Sequence, residues 1–145
     1  LGIQLQGFTG VIPILILFAA TNFIIAPERL TWNLVLKEEG GIIPMLFSGF
    51  IVAGLSEEFF RVIGQTRLGS YFKNFGAGWL ITSTLWALMH APKWYGEDHN
   101  MTEAILGSIR IIPLGLMWGY FTHRTKSILP SVILHGLNFW GLQNF

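Results

Sequence analysis

Residues 40–64 read GGIIPMLFSGFIVAGLSEEFFRVIG, and this stretch decides the fold class. It carries no charge from Gly40 to Ser56 and then places Glu57, Glu58 and Arg61 close together. A transmembrane helix needs about 20 mainly apolar residues to cross about 30 Å of hydrocarbon. Ionisable side chains within a span are costly and usually face a protein interior or a water-filled cavity. The stretch therefore predicts a membrane span that continues into a polar, functional end.

The composition of the whole chain favours the same class. Of its 145 residues, 52% are hydrophobic and only 12% are charged, and the mean hydropathy is +0.54. A soluble domain carries about 25% charged residues. The net charge of +1 gives no field that attracts nucleic acid, so we expect no nucleic-acid partner. The absence of cysteine excludes disulfides, thiolate metal ligands and thiol nucleophiles.

Windows between the charges predict about five helices. Lipid favours helices because backbone polar groups must be satisfied within the segment, and no alternation typical of strands competes with them. The predicted spans lie at roughly Gly7 to Ala26, Gly40 to Ser56 and onward, Asn74 to Pro92, Glu103 to His123, and Ser127 to Phe145. The expected fold is all-α, a polytopic membrane helix bundle in a single domain over residues 1–145. Because the chain begins with an apolar Leu1 and no basic leader, we expect a trimmed core of a larger bundle and not a signal peptide.

Several polar side chains fall inside these spans, where they are expensive and often functional. They are Glu57, Glu58, Arg61, His90, Arg110, His135 and Asn138. Residues four apart share a helical face, which groups Glu57 with Arg61 and turns Glu58 away by about 100°. The same spacing sets Trp86 beside His90, so we expect the indole to wall the site.

Each group also has a structural interpretation. The acidic pair with Arg61 can be a charged helix end at the interface, and His90 can be an interfacial histidine beside a belt tryptophan. His135 can be a hydrogen-bonded core histidine, and Arg110 can reach outward to water. We expect His99 and His123 to be solvated. Most tryptophans, including Trp79, Trp118 and Trp140, are expected to face lipid or the aromatic belt.

Three spans that each supply a glutamate or a histidine are harder to explain by structure alone. A carboxylate with two imidazoles can activate water as a general base or hold a zinc-type metal. The second of these imidazoles and an amide on the same helical face, His135 and Asn138, can instead donate hydrogen bonds to an oxyanion. The sequence contains no serine nucleophile elbow, phosphate loop or dinucleotide fingerprint. Water attack on an acyl or peptide bond is the simplest chemistry that uses all of these groups.

The motifs resemble those of the CAAX protease and bacteriocin-processing (CPBP, abortive-infection) family of intramembrane proteases. The relevant segments are EEFFR at 57–61, WALMH at 86–90 and HGLN at 135–138, with SILPS at 127–131 ahead of the last histidine. Their order and separation fit the family over about residues 45–142. Each motif alone is weak, and the three together are fairly specific.

Three positions depart from the family pattern. Two residues separate the acidic pair from Arg61, where the family usually has three. Aligning on the arginine would put Ser56 at the first acidic position, so we align on the acids. Trp86 replaces the usual phenylalanine, and Phe139 occupies the position four after the last histidine, where the family commonly has asparagine. Asn138 is then the stand-in for that amide.

The resemblance implies an intramembrane endopeptidase in which a glutamate and His90 activate water. The alignment on the acidic pair makes this glutamate Glu57, with Glu58 as the alternative. It further implies that His135 and Asn138 stabilise the oxyanion. The expected partners are membrane lipid and a peptide or protein substrate, lipidated or membrane-embedded. The expected location is a bacterial plasma membrane, crossed several times.

Two alternatives stay open at this point. Glu57, His90 and His135 could instead ligate zinc or another divalent metal, although we favour a site without a cofactor because an asparagine amide suits an oxyanion better than zinc. The chain could also be a non-enzymatic membrane protein, such as a transporter-like, immunity or scaffold protein. Its Glu, Arg and His side chains would then form a sealed structural network, whereas a protease needs access for water and peptide.

Overall fold

A computed structural model describes residues 40–137 and, ahead of them, only Ile12, Ile16 and Ala20. Every regular element in this part of the chain is helical, which confirms the all-α prediction. The elements in order are α1 Ile42–Leu46, the π-helix π1 Phe47–Leu55, α2 Ser56–Tyr71, α3 Phe75–Leu88, α4 Ala91–Asp98, α5 Met101–Thr125 and α6 Leu129–Leu137. The first three are continuous and form one helical rod.

Two helices are long and apolar enough to cross a membrane among the residues described. They are the rod Ile42–Tyr71, with 30 residues, and α5, with 25 residues. In the helix α1–π1–α2, only 28% of the most apolar 18-residue window is buried. Its exposed side chains include Ile43, Phe47 and Phe60. An outward face of this kind suits lipid, because the buried helix of a soluble core would hide it.

The other predicted spans are shorter in the structure or lie outside the described residues. Helix α3 contains 14 residues, which reach about 21 Å at 1.5 Å per residue. Helix α6 begins the last predicted span at Leu129, and the residues after 137 lie outside the described part. The first predicted span also lies outside it, apart from three single residues in helical conformation.

Local sequence signals place the helix ends. Asn74 caps α3 by accepting a hydrogen bond from the backbone N–H of Ala77 at 3.2 Å. Asn100 caps α5 in the same way through Thr102 and Glu103. Positive φ angles at Lys73 (51°) and Lys126 (57°) turn the chain after α2 and α5.

The chain divides into two compact units, residues 1–59 with 121–145, and residues 60–120. The first contains π1 and α6, and the second contains α3, α4 and most of α5. The expectation of a single domain over residues 1–145 stays a prediction.

In the first unit, α6 packs directly on π1. Glycines allow the close approach: a Cβ on Gly54 would lie 2.7 Å from the carbonyl oxygen of Val132. A Cβ on Gly136 would lie 2.5 Å from the ring of Phe50. Small residues that bring backbones together are typical of helix contacts in membranes. A π-helix is itself rare and often occurs at functional sites, and this one ends at Leu55, two positions before Glu57.

Substituting Gly54 by Ala is expected to force α6 away from π1, since the new methyl group would meet a backbone oxygen. Overpacking of this kind costs about 1 to 3 kcal/mol. The unfolding transition of the purified protein in detergent measures the effect. Gly96→Ala is the matched control, because nothing lies within 4 Å of a Cβ at that exposed helical position. Equal stability of the two variants would contradict the close π1–α6 contact.

Candidate functional site

The first unit brings one histidine and two carboxylates together. His135 lies on α6, in the segment that packs on π1, and Glu57 and Glu58 stand in the first turn of α2, directly after π1. The short contact between π1 and α6 therefore sets the distance between the imidazole and both acids.

The buried carboxylate of the pair is Glu58, whose exposure is 0%. Its Oε1 lies 3.1 Å from Nδ1 of His135, a normal hydrogen-bond distance. An ionised carboxylate only accepts hydrogen bonds, so Nδ1 is the protonated nitrogen in this contact. Glu58 thereby fixes both the orientation of the ring and the position of one proton.

The second carboxylate, Glu57, differs in exposure. Its Oε2 lies 3.5 Å from Nε2 of His135, and 34% of its side-chain surface is exposed. The same imidazole is thus flanked by a fully buried acid at Nδ1 and a partly exposed acid at Nε2. The carboxylate of Glu57 is thus partly open at the protein surface, whereas that of Glu58 is enclosed by protein.

A pair of hydroxyl groups holds α6 one turn before the histidine. Thr122 Oγ1 and Ser131 Oγ lie 2.7 Å apart, and both residues are fully buried. Ser131 precedes His135 by four positions and so lies on the same face of α6. This hydrogen bond fixes the register of α6 against the end of α5.

The second unit holds the other predicted histidine. The ring centroids of His90 and Trp86 lie 4.7 Å apart with the rings at 65°, as the four-residue spacing predicts. Nδ1 of His90 lies 3.0 Å from the backbone carbonyl oxygen of Trp86. Because a carbonyl oxygen only accepts, Nδ1 carries the proton, and the neutral ring has its lone pair on Nε2. Trp94, four positions after His90, lies near the same imidazole, and the centroids of the two rings are 6.0 Å apart.

Arg61 is buried in the second unit, although charged side chains are seldom enclosed. Its Nη1 donates a hydrogen bond to the carbonyl oxygen of Gly115. Its guanidinium carbon lies 5.7 Å from the ring centroid of Trp86 and 5.5 Å from that of Trp118, within cation–π range. The buried stripe of α2 includes Glu58 and Arg61, three positions apart, whereas spacing alone had grouped Arg61 with Glu57.

The structure corrects one expectation about the tryptophans. Trp118 was predicted to face lipid, but it is 1% exposed and packs edge-on against Trp86 at 5.3 Å. The signal that could have found it is the Gly115-x-x-x-Gly119 spacing around it, which is typical of close helix contacts. For Trp94, the four-residue spacing from His90 is the signal that could have identified it as a neighbour of that histidine.

The remaining predicted residues have simpler surroundings. Arg110 and His99 are exposed, and His123 is half-buried. Asn138 lies outside the described residues. Within residues 40–137, no set of three or more His, Asp or Glu side chains is arranged to hold a metal ion.

Comparison with known proteins gives one match. Residues 39–140, more than half of the chain, match the model of a family described as type II CAAX prenyl endopeptidase Rce1-like. The matched segment includes EEFFR, WALMH and HGLN. Searches of curated proteins and of solved structures found no match.

Proposed function

Because the chain belongs to the Rce1-like family of type II CAAX prenyl endopeptidases, an integral membrane family, we propose that it is an intramembrane endopeptidase. The observation that carries the proposal is the imidazole of His135 between Glu57 and Glu58. Ionisable side chains in an apolar helix are costly in free energy, and they usually mark a functional site. We further propose that the protein is a multi-pass protein of a bacterial plasma membrane.

The proposed reaction begins with Glu57. Its partly exposed carboxylate takes a proton from water, and the oxygen of that water attacks the carbonyl carbon of the scissile peptide bond. Glu57 is preferred to Glu58 as the base because its carboxylate is partly exposed, whereas that of Glu58 is buried and already accepts a hydrogen bond from Nδ1 of His135. His90 assists in activating the water, in the role that the family motif assigns to it.

The negative charge that forms on the carbonyl oxygen needs hydrogen-bond donors. Nδ1 of His135 is committed to Glu58, so Nε2 is the ring nitrogen directed toward the reacting atoms, and it donates to the oxyanion when it carries a proton. Asn138 supplies the second donor in this proposal. When the intermediate collapses, the carbon–nitrogen bond breaks and the proton held by Glu57 passes to the leaving amine.

The contrast in exposure between the two acids favours an enzyme over a sealed polar network. A structural network would enclose both carboxylates, whereas Glu57 keeps a third of its side-chain surface exposed at 34%. We propose a membrane-bound peptide as the substrate, with a prenylated C-terminal segment as the first class to test.

A peptide library tests this function directly. The purified protein, reconstituted in liposomes, is incubated with C-terminal peptides that are prenylated, palmitoylated or unmodified, and products are identified by mass spectrometry. We expect cleavage at defined bonds within one of the lipid-bearing classes. The absence of cleavage in every class would overturn the proposal and favour the non-enzymatic alternative.

Metal removal is expected to leave the activity unchanged. The protein is treated with a strong chelator, its metal content is checked by elemental analysis, and peptide cleavage is measured again. Undiminished cleavage supports activation of water by Glu57 without a metal. Loss that is restored by about one equivalent of zinc would make Glu57, His90 and His135 ligands, and would change the role proposed for His135.

A further inference from the structure

The indole of Trp118 is enclosed in the second unit, next to the indole of Trp86. The two ring centroids lie 5.3 Å apart with the planes at 77°, an edge-to-face arrangement. This geometry is favourable for aromatic pairs and restricts the rotation of both rings. Trp118 therefore limits where the side chain of Trp86 can lie.

Gly115, one turn before Trp118 on α5, restricts Trp86 from a second side. A Cβ at Gly115 would lie 2.8 Å from Cε3 and 3.1 Å from Cζ3 of Trp86. The indole thus rests on bare backbone, with no space for a methyl group. The guanidinium of Arg61 lies over both indoles and is itself anchored on the carbonyl oxygen of Gly115.

His90 depends on Trp86 through two contacts. Its ring packs against the indole, and its Nδ1 donates to the Trp86 carbonyl oxygen at 3.0 Å. A free neutral imidazole can place its proton on either nitrogen, so the hydrogen bond selects the Nδ1–H form. That form leaves Nε2 to accept a proton or a hydrogen bond.

We propose that Trp118 is a positioning residue for His90, acting through Trp86, and that it keeps Nε2 as the reactive nitrogen. The inference rests on the proposed function, in which His90 is catalytic, but its structural half can be measured without any substrate. Gly115 also positions Trp86, because the absence of a side chain at residue 115 lets the indole pack against the backbone of α5.

Nitrogen-15 NMR of histidine-labelled protein in detergent micelles reports the proton position, because protonated and bare ring nitrogens differ widely in chemical shift. The His90 signals are assigned with the His90→Gln variant. In the unmodified protein at alkaline pH, we expect His90 to be protonated at Nδ1 and bare at Nε2. Protonation at Nε2 would overturn the proposal without the need for any Trp118 variant.

Trp118→Leu removes the aromatic edge. We expect the His90 signals to move toward a mixture of both tautomers and kcat for peptide cleavage to fall by about 10- to 100-fold with little change in KM, as misplacement of a catalytic group does. Trp118→Phe keeps an aromatic edge and should restore most of both readouts. Gly115→Ala provides an independent disturbance of Trp86, should Trp118→Leu fail to fold.

The control is Trp79→Leu, which deletes another indole from the same unit. Trp79 stacks on Phe75 and donates to the Leu116 carbonyl oxygen, so its loss should leave the His90 tautomer unchanged. Unchanged His90 signals in folded Trp118→Leu protein would overturn the positioning role. If the signals move as expected but unmodified protein cleaves no peptide, the positioning of His90 stands and the proposed endopeptidase function falls.

Discussion

Glu57→Gln is expected to lower peptide cleavage by about 100-fold or more, because the amide keeps the shape of the side chain and cannot take a proton from water. Glu57 is the partly exposed carboxylate at Nε2 of His135, so its loss removes the base while the buried contact at Nδ1 persists. The measurement is kcat/KM on the best peptide from the library, with the thermal stability of the variant determined in parallel.

Two variants with the same Glu-to-Gln change serve as comparisons for Glu57→Gln. Glu97→Gln makes the same change at an exposed position of α4 and should leave cleavage unaltered. Glu58→Gln retains an oxygen that accepts from Nδ1, so we expect a smaller loss than for Glu57→Gln. If Glu58→Gln is the more severe of the two and Glu57→Gln retains activity, Glu58 is the base.

His135→Ala is expected to have the second large effect, a loss of cleavage of about 100-fold or more together with reduced stability. The substitution removes a hydrogen-bond donor from the buried carboxylate of Glu58, and loss of a partner in a buried site costs about 1 to 3 kcal/mol. Denaturant titration in mixed micelles measures the stability, and the peptide assay measures the activity.

The control for this variant is His99→Asn. His99 is exposed and has a φ of 51°, a left-handed conformation that asparagine tolerates. Its replacement should change neither activity nor stability. A fully stable and active His135→Ala protein would show that the buried contact has no part in the reaction.

The helical fold and the grouping of residues within each helix were predictable because they depend on local spacing. The uncharged run before Glu57 predicted the long rod, and the four-residue spacing predicted the contact between Trp86 and His90. The same logic did not show which acid would be buried. Exposure depends on what packs against α2, and residues 57 and 58 differ only by their position around the helix.

Contacts between distant parts of the chain were beyond the sequence pattern. Glu58 and His135 are 77 positions apart, and their meeting depends on the register of α6 on π1. That register is set by Gly54 and Gly136, and by the hydroxyl pair that includes Ser131. One sequence indicates that these residues are small or polar but gives no information on their partners.

Trp118 shows a second kind of difficulty. In an apolar helix, a tryptophan that faces lipid and one that packs inside have the same local sequence, since both surroundings are apolar. The buried guanidinium of Arg61 explains why this indole points inward, because two aromatic faces and a backbone carbonyl surround the charge. Only the three-dimensional arrangement relates these residues.

The most direct test of the central claim is cleavage of the identified peptide in water enriched in oxygen-18. Hydrolysis driven by Glu57 predicts that the new C-terminal carboxyl group gains one labelled oxygen in the presence of the unmodified protein. It also predicts that almost no product forms with Glu57→Gln under the same conditions. Equal amounts of labelled product from both proteins would contradict the account, as would cleavage without incorporation of the label.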